Sequence, residues 1–338
     1  METQLFLLQY VLPYFSSSSD SSDSESETTR RNVHSTMWIG NDDGEIFVFN
    51  FLDNVRLKSK EKLTRLPFPI DDIAYIDERV FVSMSSTTPL GAQLIYFQRG
   101  KDGNWDLENS ATVELDLKSR LKPMIAAASR LCIASANSLY LLNPISTVIE
   151  KHAQLSSFPS ESVGNMVIHG STIFISLNRS TIVKVVNAFT LECLLEFTVS
   201  HVVSKALSTC DNIIRQHKMG CLRISALLCC KNRLWIGTSA GVVLSTNVAS
   251  TKSNWTPTFS VCAAGHSGPC RFLTAVSVST SAQEAGIRRR RMSLNLPSLQ
   301  QLDQMFVISG GEGFDTIDIR ETKRGAEDAV NHLLFWNA

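Results

Sequence analysis

Residues Ile224–Leu244 read ISALLCCKNRLWIGTSAGVVL. Three apolar runs stand in that stretch: Ile224 to Cys229, Leu234 to Gly237 and Val242 to Leu244. They are parted by two polar turns, Lys231-Asn232-Arg233 and Ser239-Ala240-Gly241. Each run is too short for a buried helix and is bounded by turn residues, so the stretch reads as a three-strand antiparallel meander. The runs are continuously apolar rather than alternating, which expects both faces of the sheet to be covered.

The same grammar recurs outward in both directions. Upstream it appears as Met166 to Ile168, Ile173 to Leu177 and Ile182 to Val186, then as Met124 to Ala128, Leu131 to Ala134 and Leu139 to Leu142. Ile73 to Ile76, Val80 to Met84 and Leu94 to Phe97 form a further copy. A first unit shows its middle hairpin, Met37-Trp38-Ile39-Gly40 and Glu45 to Phe49 around Asn41-Asp42-Asp43-Gly44, where Gly supplies positive φ cheaply. A last unit has Arg271 to Val276, Met305 to Ser309, a Gly310-Gly311-Glu312-Gly313 turn and His332 to Trp336. The strand cores Ile39, Val82, Ile133, Ile175, Ile236 and Ile308 fall 43, 51, 42, 61 and 72 residues apart. Intervals near ~40–45 residues are those of a four-stranded propeller blade, and the longer ones read as blades with insertions. The expected fold is all-β, a WD40-like β-propeller, either seven-bladed or an incomplete ring with six clear blades. A parallel α/β alternative needs helical crossovers, and the one good helical candidate is an insertion near 202–216.

Domain expectations follow from composition. Residues 1–15 form an apolar N-terminal segment that could supply a remnant strand; without a basic n-region or a small-residue cleavage site it does not read as a secretory signal. Residues 16–35 read as an acidic, Ser-rich linker, because Ser, Thr, Asp and Glu alone fill 16–29 and cannot bury enough apolar surface to offset ordering entropy. Its two readings are a spacer and an acid-directed phosphorylation cluster including Ser22 and Ser24. The propeller is expected over 36–338, with a basic loop insertion at 277–304.

The whole chain has 338 residues, 43% of them hydrophobic and 19% charged, with zero formal charge. These values exclude collagen-like and wholly disordered chains, and no apolar run reaches the length of a membrane-spanning helix. Zero net charge argues against an extended nucleic-acid surface. The eight cysteines show no Cys-x-x-Cys pair and read as reduced, mostly buried thiols, which expects a cytoplasmic protein. In the basic insertion, Arg288, Arg289, Arg290 and Arg291 precede Met292 and Ser293. A solvated loop is the plain reading; a basic contact patch and a phosphorylation site at Ser293 are the functional ones.

Several segments go beyond repeat grammar. They are Thr36 to Gly40 with Asp43-Gly44, Cys210 to Lys218, Cys221 to Leu228, Leu234 to Val242, Gly265 to Gly268 with Arg271 to Leu273, and Ser309 to Phe314 with Asn331 to Trp336. In that order they resemble the C-terminal region of the Rho guanine nucleotide exchange factor 17, or tumour endothelial marker 4, family over about residues 36–338. The resemblance implies a propeller from proteins whose exchange activity on Rho-family GTPases lies in an upstream helical domain. Nothing here has the length or helical periodicity of such a bundle, so no exchange residue carries over, and a protein-interaction or regulatory role is expected. Its partners would be proteins, including upstream domains of a parent chain. Propellers of c-Jun N-terminal kinase scaffolds, with related Trp-x-Gly-Thr and Ser-Gly-Gly-Glu-Gly segments, are the alternative.

No nucleophile, acid-base pair, cofactor loop or metal cluster is evident, and no cofactor is expected. His266 after Gly265, and Trp336 before Asn337, are similar to the Gly-His and Trp-Asp landmarks of WD repeats, with Asn in place of Asp. A structural role is expected for His266 and Trp336. Trp38 and Trp235 occupy equivalent positions in two units and are expected to pack in the core.

Overall fold

The computed structural model describes residues 5–11, 35–51, 62–85, 91–100, 103–248, 255–278, 304–316 and 330–338. The chain divides into two compact units, Met1–Met166 with Asn187–Glu192, and Val167–Val186 with Cys193–Ala338.

Three antiparallel four-stranded sheets build the first unit, each a meander in chain order. They are β1 (Leu5–Val11), β2 (Ser35–Asn41), β3 (Glu45–Phe51) and β4 (Lys62–Arg65); β5 (Ile70–Ile76), β6 (Arg79–Ser85), β7 (Ala92–Gln98) and β8 (Ala111–Val113); and β9 (Leu121–Ala127), β10 (Arg130–Ser135), β11 (Ser138–Leu142) and β12 (Ile149–Gln154). A fourth sheet of the same kind is β13 (Val163–His169), β14 (Thr172–Leu177), β15 (Ile182–Asn187) and β16 (Cys193–Thr198).

Two helices follow within the second unit, α1 (Ser200–Ala206) and α2 (Asn212–Gly220), and then β17 (Ile224–Cys230), β18 (Arg233–Thr238), β19 (Val243–Asn247) and β20 (Phe259–Val261) form the fifth sheet. Short β21 (Ala264–Gly265) precedes β22 (Cys270–Val278) and β23 (Gln304–Glu312), and β24 (Asp315–Thr316) precedes β25 (Asn331–Asn337). β22, β23 and β25 make a three-stranded sheet, while β21 pairs with β24. Six blade sheets are thus present among the described residues, five with four strands and the last with three.

Turn chemistry explains the hairpins. Asn41 Oδ1 accepts from the N–H groups of Asp43 (3.1 Å) and Glu45 (2.8 Å), and Gly44 takes φ +78°. The β5–β6 and β9–β10 turns use pairs of left-handed residues without glycine, Asp77-Glu78 and Ala128-Ser129. Such φ > 0 pairs fit two-residue hairpin turns, whose twist matches that of the strands.

The apolar cores lie between neighbouring sheets, which is why the middle strands need no polar face. In the first unit, Trp38, Ile46 and Val48 pack with Ile70, Ile73 and Val80, and Phe81 and Leu94 pack with Leu121, Leu131 and Ile133. In the second, Phe174, Val183 and Val185 pack with Ile224, Leu234, Ile236 and Leu244. Two glycines permit the close approach. A Cβ on Gly40 would lie 2.8 Å from Ile70 Cγ2, and one on Gly237 would lie 2.6 Å from Cys270 Sγ. The equivalent Trp38-Ile39-Gly40 and Trp235-Ile236-Gly237 segments therefore each seat the first strand of the next sheet.

One backbone irregularity repeats. Pairing slips by one residue near the start of the first strand at Phe6, Asp71, Ser225 and Arg271, and residues 122–123 together face Ala134. Each is a β-bulge, which lifts its extra residue out of the ladder.

Three sequence expectations change. The single helix near 202–216 is two helices broken by a 3₁₀ turn at Leu207–Thr209, because Asp211 starts a new helix by accepting from Ile213 N–H at 2.9 Å. Gly310 and Gly311 lie inside β23 rather than in a turn; only Gly313, at φ +64°, is in the turn. Their lack of a side chain makes room for neighbours, since a Cβ would meet the Phe272 ring at 2.2 Å and His266 Cγ at 2.6 Å, respectively. The ends of the basic insertion are strand, with Val278 paired to Gln304.

Candidate interaction surfaces

Two buried hydroxyls organise the singled-out aromatic and histidine side chains. The first is Thr36 Oγ1 on β2, which accepts from Trp38 Nε1 at 3.2 Å and from Trp105 Nε1 at 3.0 Å. The two indoles meet edge to face at 5.3 Å between ring centres. Trp38 is fully buried and Trp235 is 3% exposed, each within an apolar core.

The second is Ser309 Oγ on β23, which lies 3.0 Å from His266 Nε2 and 3.1 Å from Trp336 Nε1. His266 Nδ1 lies 3.3 Å from the Gly313 carbonyl oxygen. A carbonyl only accepts, so Nδ1 carries the proton of the neutral ring and Nε2 must accept from the Ser309 hydroxyl. The serine lone pairs then remain for the Trp336 N–H. Burial, the largest influence, holds the His266 pKa below its usual value and favours this neutral ring. Sequence reasoning found His266 and Trp336 but missed Ser309, Thr36 and Trp105; the Gly-His and Trp-Asn pairs were the available signal for Ser309.

A buried carboxylate also went unread. Asp72 on β5 accepts from Ile73 N–H at 2.9 Å and from Met124 N–H of β9 at 2.7 Å. Desolvation raises its pKa to about 6, against the lowering effect of those two bonds.

The thiols are all free, but only Cys132, Cys230 and Cys270 are buried; Cys193 and Cys221 are exposed, because their positions in an outer strand and after a helix leave one side to solvent. Burial pushes Cys132, Cys229, Cys262 and Cys270 up to about 12, away from thiolate chemistry. No cluster of metal-ligating side chains occurs among the described residues. A cavity of about 510 Å³ in the second unit is lined by residues including Arg233, Thr246 and Trp255. Arg233 and Thr246 are offset by one position in the paired strands, so their side chains leave opposite faces of the sheet.

Several large apolar side chains are exposed at turns and on the helical insertion. In the first unit, the β11–β12 turn presents Ile145 and Val148, and the β15–β16 turn presents Phe189. These turns share one design, with Asn143 Oδ1 accepting from Ile145 N–H and Asn187 Oδ1 accepting from Phe189 N–H. In the second unit, α2 presents Ile213 and Ile214. Ser22, Ser24, Ser293 and Arg288, Arg289, Arg290 and Arg291 lie outside the described residues.

The WD40 repeated domain matches residues 1–301. The chain belongs to the WD40 repeated-domain family. This WD40 chain is 39% identical over 331 residues to the Rho guanine nucleotide exchange factor osg-1 of Caenorhabditis elegans, covering 98% of the chain and 27% of the relative. It is 30% identical to Rho guanine nucleotide exchange factor 17 of Homo sapiens, over 89% of the chain and 16% of that protein. JNK-interacting protein 3 of Drosophila melanogaster is 27% identical over 90% of the chain and 24% of its own length. The chain thus spans about a quarter or less of these relatives. Among solved structures, Chaetomium thermophilum Sqt1, bound to the N-terminus of the ribosomal protein L10, aligns with a TM-score of 0.49 at 10% identity, covering 83% of this chain and 69% of that one. Among the described residues no helix is long and apolar enough to cross a membrane.

Proposed function

We propose that this chain is the C-terminal propeller of a Rho guanine nucleotide exchange factor-like protein and works as a cytoplasmic protein-interaction or regulatory module, without exchange activity of its own. The observation that carries this reading is the likeness to an exchange factor along 98% of the chain but only 27% of that relative. The helices among the described residues, with seven and nine residues, fall well short of an exchange bundle. Blade cores that fix geometry while loops vary suit partner binding. In this reading His266, Trp38, Trp235 and Trp336 are structural, each being buried or joined to a hydroxyl in the cores. The scaffold reading rests on the 27% identity to JNK-interacting protein 3.

A nucleotide-release assay tests the proposal. The purified chain should leave release from Rho-type GTPases at the intrinsic rate, and measurable acceleration overturns it. Modification in the basic loop has a separate test: a phosphopeptide spanning Ser293 should be recovered from cells and lost in Ser293→Ala, and unchanged recovery refutes that site.

A further inference from the structure

We propose that the α1–α2 insertion is a docking helix pair for an acidic, apolar segment of a partner protein, with Ile213 and Ile214 as its anchors. The proposal rests on the interaction-module reading and assigns that module a surface.

The insertion is built to hold one face and present another. Val203 of α1 and Leu207 are buried in the second unit's core, and Cys210 and Met219 pack against it. Arg215 Nη2 donates to Ser204 Oγ at 3.0 Å, tying α2 to α1. Asp211 caps α2 by accepting from Ile213 and Ile214 N–H. Anchored on one side, α2 has no buried residue of its own. Ile213 is 78% exposed and Ile214 43% exposed, on adjacent positions of the first turn. Covering the exposed parts of both side chains under a partner removes apolar surface from water and so favours association.

Charge names the occupant. Across residues 200–223 the cations are Lys205, Arg215, Lys218 and Arg223, whereas Asp211 is the sole acid and serves as the helix cap. The entire chain carries no net charge, so this positive stretch is a local feature. A segment combining carboxylates with apolar side chains matches both properties, the charges steering encounter and the apolar groups covering the isoleucines. A lipid surface matches less well. Interfacial helices commonly spread a broad apolar face over many residues, whereas α2 has nine and exposes two large apolar side chains.

The test is site-specific photo-crosslinking of the full chain in cells, with p-benzoylphenylalanine in place of Ile213 and, separately, of Phe189 and of Phe158, which is exposed in the segment after β12, followed by mass-spectrometric sequencing of the adducts. The expected result is adducts at Ile213 mapping to acidic, apolar protein segments, reduced about tenfold by Ile214→Glu, with an unchanged melting temperature because that side chain is not in the core. Adducts that are neutral or basic, or a yield indifferent to Ile214→Glu, overturn the proposal. So does binding of the purified chain to phosphatidylserine-containing vesicles that Ile214→Glu abolishes, without protein adducts at Ile213. Adducts at Phe158 or Phe189 but none at Ile213 overturn this assignment and leave the interaction-module reading standing. No adduct at any position overturns both.

Discussion

Replacing Gly241 with Ala should be among the most damaging single-atom changes available to this protein. Gly241 has φ +84°, and a Cβ there would lie 1.8 Å from the carbonyl oxygen of His266 and 2.7 Å from that of Gly268. A non-glycine residue in the left-handed region costs about 1–2 kcal/mol. The larger part comes from the forced retreat of the loop carrying His266. It breaks the bond from His266 N–H to Gly241 carbonyl (2.9 Å) and pulls the imidazole from Ser309, each worth about 1 kcal/mol with a further penalty for buried groups left unpartnered. The total is about 4–5 kcal/mol. At about 2 °C per kcal/mol for a chain of this size, the melting temperature should fall by about 8–10 °C. Gly170 is the internal control, since it is also left-handed at φ +58° but a Cβ there meets nothing within 4 Å. Gly170→Ala should cost about 1 kcal/mol and about 2 °C. Thermal unfolding followed by circular dichroism compares the two; equal melting temperatures would refute the claim that the Ser239–Gly241 turn supports the His266 loop.

Three further outcomes follow from the buried polar groups. Thr36→Val strands two indole N–H groups at once, so urea unfolding should show a loss of about 2–5 kcal/mol, and a loss under 1 kcal/mol would deny the hydroxyl its bridging role. The pKa of His266 is depressed in the fold, so the unfolded chain binds more protons below about pH 6.5. Its contribution is present above that pH and wanes on acidification, and His266→Gln, which removes the titrating ring, should flatten the dependence between about pH 7.5 and 5.5 measured by chemical denaturation, whereas an unchanged slope would mean another group titrates there. Asp72 has the opposite sign: its folded pKa of about 6 exceeds the usual 3.8, so the fold binds the extra proton between these values and stability drops by about 3 kcal/mol as pH rises through them. In Asp72→Asn that fall should vanish, and a persisting slope would mean another group titrates there.

The inner hairpins were legible because their apolar runs are bounded by turns such as Asn41–Gly44 and Ser239–Gly241. The outer strands were harder to read. β4, β8 and β20 have only four, three and three residues with little buried surface, and an edge strand does not need the continuous apolar run that marks a central one. Gly310 and Gly311 misled for the reason that glycine usually punctuates; here it vacates volume for Phe272 and His266 inside a strand. Ser309 could not be distinguished from other strand serines, because its role depends on two residues 43 and 27 positions away in sequence. The exposed isoleucines of α2 were hidden for a related reason: the 202–216 pattern resembles one amphipathic helix until Asp211 starts a second.

The repeated bulge makes the blades alike in backbone and unlike in chemistry. Its extra residue is released from pairing and can bind elsewhere: Asp71 faces Arg120, the Ser225 hydroxyl donates to the Cys270 carbonyl, and Arg271 pairs with Glu312. Three blades thereby hold different partners at a shared address. Copying one blade over another would preserve its strands, and Arg271 would travel with Glu312 on the paired strand, but the links that reach beyond the sheet, Asp71 to Arg120 and Ser225 to Cys270, would be mismatched, so such repeats can diversify individually while resisting shuffling.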